Sequence, residues 1–141
     1  EGPPGPENAR SLVLLIRHAG HSFLLTGDLE GEGQAMVVAR PIGPVDVMLA
    51  PHHGAKGANA PRGPATKPEA GVVAAWARPK LVVSSQRPGT ETAHLHASYG
   101  AVGAVVWDTP TSGAVTVRSH STGVVAEEFR TGKVRAFSRG R

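Results

Sequence analysis

Phe23-Leu24-Leu25-Thr26-Gly27-Asp28 and Asp46-Val47-Met48-Leu49-Ala50-Pro51-His52-His53-Gly54 decide the reading of this chain. Each is an apolar run of strand length that ends abruptly in ionisable side chains. The first delivers a carboxylate after a glycine, the second two adjacent imidazoles before one. Many α/β enzymes build sites at the carboxyl ends of buried strands, where a rigid scaffold holds the functional groups. Asp and His are also ligands of transition-metal sites. Both clusters have an ordinary alternative: Asp28 as the N-cap of a following helix, the imidazoles as exposed turn residues. Neighbouring side chains of an extended chain point to opposite sides. One of His52 and His53 therefore faces a given metal, and the other is left for an outer or substrate role.

Outward from these runs, strands and helices interleave. Residues 11–17 and 22–26 read as a hairpin turning at His18-Ala19-Gly20-His21. Neither strand alternates cleanly, which predicts cover on both faces. Residues 28–40 read as a helix that starts at Gly27 or Asp28 and turns Ala35, Met36, Val38 and Ala39 inward. Residues 45–50 form a third strand, and 52–66 a loop long enough to carry function. A second helix over 67–78 buries Val72, Val73, Ala75 and Trp76. Strand 81–84 follows, then a short helix over 92–100 that carries His94 and His96. Residues 104–107 and 114–118 read as a hairpin, and 124–129 as a last strand. The segments are thus a linker or truncated start at 1–10, a partial domain at 11–130, and a basic, fraying tail at 131–141. The element order predicts a layered α/β domain.

Composition narrows the chemistry. The 141 residues are 40% hydrophobic but only 4% aromatic, so the core is built from small side chains. The absence of Cys excludes disulfides and thiolate metal sites. A net charge of +4 is compatible with a polyanionic partner, although part of it sits in the tail. Lys56, Arg62 and Lys67 flank the His-His-Gly loop, within reach of a phosphate or simply in solvent. His18, His21 and His120 read as hairpin and surface residues. No apolar run is long enough to span a membrane. The opening Glu1-Gly2-Pro3-Pro4-Gly5-Pro6 reads as a cut within a linker of a longer protein.

Taken together, Asn8-x-x-Ser11-Leu-Val-Leu, the Thr-Gly-Asp run to Asp28 and the Ala-Pro-His-His-Gly run to Gly54 resemble the C-terminal half of a metallo-β-lactamase-fold hydrolase. More narrowly, they resemble the hydrolase domain of ComEC-type competence proteins, which sit in the membrane and take up DNA. Residues 76–85 and 113–117 also fit, so the resemblance covers about residues 8–118. It implies the C-terminal half of an αββα sandwich, with two divalent ions, zinc or manganese, as cofactors. It implies Asp28 as the bridging carboxylate, His52 as the late imidazole ligand and His53 as the second choice. Asp28 and His52 would then be the catalytic pair, with His94 and Lys56 toward substrate. The implied reaction is hydrolysis of a DNA phosphodiester through a metal-activated water. The implied parent is a bacterial membrane protein with this domain on its outer face. Two departures stand out. The superfamily's His-x-His-x-Asp-His motif is missing, and would belong to an upstream half of the domain; Ala55 stands where the family often has Ser. A half sandwich leaves an open sheet edge and an uncovered apolar face, so the chain alone is expected to associate.

Overall fold

The computed structural model describes residues 7–138. Its main sheet has five strands: β1 (Leu14–His18), β2 (His21–Leu25), β3 (Val47–Leu49), β4 (Leu81–Ser84) and β5 (Val105–Asp108), side by side in that order. β1 and β2 are an antiparallel hairpin, and β2 through β5 run parallel. Helices α1 (Gly31–Val38), α2 (Lys56–Asn59), α3 (Val72–Ala77) and α4 (Ala93–Gly100) lie in the crossovers. A one-turn helix, α5 (Thr109–Ser112), then leads into a second sheet of β6 (Val115–His120), β7 (Gly123–Glu128) and β8 (Val134–Ser138), antiparallel throughout.

The two-residue period of the strands divides the core into two layers. Leu24, Met48, Val82 and Val106 share one face and pack against Val73, Ala74 and Ala77 of α3 and Leu95 and Tyr99 of α4. Val47, Leu81, Val83 and Trp107 share the other and pack against Val124, Ala126 and Phe137 of the second sheet. The domain is therefore an α/β/β stack, and the expected layered α/β class holds.

Several local expectations are corrected. The strand at 104–107 does not pair with the next one. Asp108 accepts a hydrogen bond from the Thr111 amide at 2.9 Å, which caps α5 and turns the chain into the second sheet. The basic segment after Thr131 does not fray over its described part. Residues 134–138 form β8, with Phe137 buried opposite Val124, because alternate side chains find the inter-sheet core. Residues 139–141 lie outside the described region, as do 1–6 of the expected linker. The first helix starts at Gly31 rather than at Asp28, and its N-cap, Glu30, makes no side-chain capping bond. Its buried residue is Gly33; the expected inward Met36 is exposed. A Cβ on Gly33 would overlap the Ala9 carbonyl, so glycine lets the 3-10 turn Glu7–Arg10 lie directly on α1. The second helix is shorter than expected and leaves Val72 exposed. Nor is the hairpin covered on both faces. β1 is an edge strand, and its Leu14 and Ile16 are 43 and 44% exposed, as is Leu49 of β3 at 42%.

Candidate functional site

The carboxyl ends of β2, β3 and β4 meet at one edge of the main sheet. Thr26 and Gly27 lash the first two together. Thr26 Oγ1 donates to the Leu49 carbonyl, and the His52 amide donates to the Gly27 carbonyl, each at 2.9 Å. The Thr-Gly-Asp turn thereby lies beside the His-His-Gly turn. His53 Nε2 stands 3.4 Å from Asp28 Oδ1, with both side chains well exposed. His52 turns elsewhere. Its Nδ1 is 2.9 Å from Oε2 of Glu30, whose Oε1 accepts from the Asn8 amide at 3.0 Å. The Asn8 amide, and after it the His52 ring, hold the Glu30 carboxyl below its ordinary value. Glu30 is therefore an acceptor-only carboxylate at neutral pH.

The turn itself is strained. His52 (φ 48°, ψ 50°) and His53 (φ 53°, ψ 22°) both adopt left-handed backbone, where L-residues lose about 1–3 kcal/mol each. Gly54 follows at φ 84°, and a Cβ there would overlap Ser84 Oγ and crowd Gln86 and Leu95. A buried hydrogen-bonded brace holds this shape. Tyr99 Oη donates to Asn59 Oδ1 at 2.7 Å. Asn59 Nδ2 donates to the carbonyls on either side of the turn, Pro51 at 2.9 Å and Ala55 at 2.8 Å. Ser84 Oγ donates to the His53 carbonyl at 3.0 Å. Burial pushes the Tyr99 hydroxyl far up, so it stays a donor.

Beside the turn opens a cleft of about 630 Å³, lined among others by His52, His53, Lys56, Gln86, Arg87 and His94. His94 Nε2 lies 2.7 Å from the Gly54 carbonyl, so it carries the proton and donates. His94 is thus a brace of the turn as well as a wall of the cleft. His96 is exposed on the other side of its helix.

The structure thus brings Asp28 to His53, ranks His52 with Glu30, and puts Lys56 and His94 on the same cleft. Asn8, Glu30, Asn59, Tyr99 and Gln86 were not singled out as site residues from the sequence. Asn59 carried no local signal, because its partners come from distant segments. Glu30 stood only two residues beyond the Thr-Gly-Asp run. Among the described residues no three His, Asp or Glu side chains converge on one point that would hold a metal ion. The donor set at Asp28 and His53 falls short of the four ligands of a closed site.

The chain resembles two long bacterial proteins over a short stretch. It is 46% identical over 55 residues to "ComE operon protein 3" of Bacillus subtilis (strain 168), covering 38% of this chain and 7% of that protein. It is 40% identical over 50 residues to "Recombination protein 2" of Haemophilus influenzae (strain ATCC 51907 / DSM 11121 / KW20 / Rd), covering 36% of this chain and 6% of that protein. This chain therefore spans only a small part of the length of either relative. No family model matches it, and no solved structure does. Among the described residues no helix is long and apolar enough to cross a membrane.

Proposed function

We propose that the chain is the trailing part of a metallo-β-lactamase-type hydrolase domain in a competence-related DNA uptake protein of the ComEC type. The observation that carries this reading is the approach of Asp28 to His53 at the carboxyl ends of adjacent parallel strands. The partial relatives support it, since one bears the name of a competence operon and the other of recombination. The substrate would be a DNA strand. Lys56 and Arg87 on the cleft supply cations for its phosphates.

Zinc or manganese is the cofactor this reading implies. Asp28 with His52 or His53 supplies too few ligands, so the rest would come from an upstream half of the domain. The exposed Leu14, Ile16 and Leu49 offer that half an apolar face beside the second sheet. The parent would be membrane-embedded, with this domain on its outer face.

The test uses the intact parent protein. It should bind divalent metal stoichiometrically and hydrolyse single-stranded DNA, and Asp28→Ala and His53→Ala should each abolish hydrolysis. A parent without bound metal or hydrolysis would instead favour a non-catalytic DNA-binding module beside a channel, a reading for which Lys56 and Arg87 speak. Faster turnover of small esters or lactones than of DNA would keep the fold and change the substrate.

A further inference from the structure

A second groove lies on the other side of α4. His94 lines the cleft described above, whereas His96 lines a hollow of about 420 Å³ at the carboxyl end of β5, between α4 and the second sheet. β5 is the outer strand of the main sheet on this side. The Val105 amide donates to the Lys80 carbonyl, toward β4, at 3.0 Å. Bonding directions alternate along a strand, so the amide and carbonyl of Val106, which lines the groove, turn to the open edge. Two buried carboxylates line the same groove, Glu128 and Asp108, 5 and 6% exposed. Ser112 Oγ donates to Glu128 Oε1 at 2.8 Å and Thr131 Oγ1 donates to Oε2. Among the described residues neither carboxylate has a cation within ion-pair distance, although Lys133 lines the groove. Trp107, which also lines it, is 3% exposed, and its Nε1–H has no hydrogen-bond partner among the described residues. Buried charges and donors are costly until they are partnered.

We propose that this groove takes an extended segment of a partner polypeptide, added along the edge of β5, with a Lys or Arg side chain set against Glu128 and Asp108. Three unmet needs select that occupant together. Val106 presents one donor and one acceptor on an open edge, which the main chain of an added strand matches. The Trp107 N–H requires an acceptor, and a carbonyl of the same segment is one. Glu128 and Asp108 require positive charge, which a guanidinium or ammonium brings together with its own N–H donors. A nucleic-acid strand fits poorly, because its phosphates would meet these two carboxylates. A metal ion fits poorly too, since among the described residues no three ligating side chains gather here. The proposal is independent of hydrolysis at the cleft.

The test follows the indole N–H signals of the ¹⁵N-labelled chain while the peptide acetyl-Thr-Val-Arg-Val-Thr-amide is added. The chain has 2 Trp, and Trp76 Nε1 already donates to the Arg40 carbonyl at 2.7 Å. Trp76→Phe assigns the two signals. The peptide should shift the Trp107 signal saturably and leave that of Trp76 in place. Glu128→Gln keeps an acceptor for Ser112 but removes the charge, and should weaken binding about tenfold. Changes to the peptide alone test the same contacts without touching the fold. Glu in place of its Arg should abolish the shift, and methylation of its valine amides should weaken binding about tenfold. No saturable shift at millimolar peptide overturns the proposal. So does equal binding by the Glu-containing or the methylated peptide. A Trp107 shift produced by a single-stranded oligonucleotide but not by the peptide overturns it in favour of nucleic acid. None of these readouts depends on whether the intact parent hydrolyses DNA.

Discussion

Carboxylate–imidazole pairs occupy both ends of the parallel strands, and they do different work. At the carboxyl end, Asp28–His53 and Glu30–His52 are partly open to solvent and sit on a strained turn. At the amino end, His21 and Asp46 are buried, with side chains 1% and 10% exposed and 3.4 Å apart. Asp46 there gathers three strands. Its Oδ2 accepts from the Ser22 amide at 2.9 Å, and its Oδ1 accepts from Lys80 at 2.7 Å. Burial would raise the Asp46 carboxyl, but the Lys80 and Ser22 hydrogen bonds outweigh it and hold the group below its ordinary value. The same chemical pair is thus a buried staple at one end of the strands and partly open to solvent at the other. Sequence placed His21 on the surface; the fold buries it, because the hairpin turn folds it over the start of β3.

The largest break in this comparison should come from Asp46→Ala. It strands Lys80, the Ser22 amide and the buried ring of His21. Loss of a buried partner is worth about 3 kcal/mol, reduced somewhat because Lys80 is half exposed. Urea unfolding should show the fall in midpoint. The brace of the strained turn ranks next. Asn59→Ala removes three buried hydrogen bonds and should cost roughly 2–3 kcal/mol, with Tyr99→Phe costing about 1 kcal/mol. Both should also shift the His52 and His53 ring signals, whereas Asp46→Ala should leave them in place.

Acid sharpens the contrast further. Asp46 has a folded pKa below its unfolded one, so its contribution is full above about pH 4 and is lost as pH falls through the depressed folded value. Unfolding midpoints followed downward from about pH 5 should fall more steeply in the wild type than in Asp46→Asn. The smallest effect on stability belongs to the open end. Asp28→Ala and His53→Ala should each change unfolding free energy by no more than about 0.5 kcal/mol, since both side chains are exposed. A loss above 2 kcal/mol at either position would make that pair a staple too.

How much of this was legible in the sequence follows from the reach of each signal. The apolar runs ending in Asp28 and His52-His53 announced both the strands and the edge where they end. The second half was harder. An alternating run such as β8 looks like a basic tail when its buried partner, Val124, is unknown. The β5 to β6 connection looked like a hairpin because spacing alone cannot separate a turn within one sheet from a step between two.

By itself the sequence determined the α/β class, the hairpin at the start, and the residue types that gather at one end of the strands. Those depend on local periodicity and on where a strand must stop. The tertiary structure alone decided which imidazole met which carboxylate. Adjacent histidines carry identical chemistry, and only the left-handed turn, braced by Asn59, Tyr99 and Ser84 from elsewhere in the chain, directs His53 to Asp28 and His52 to Glu30.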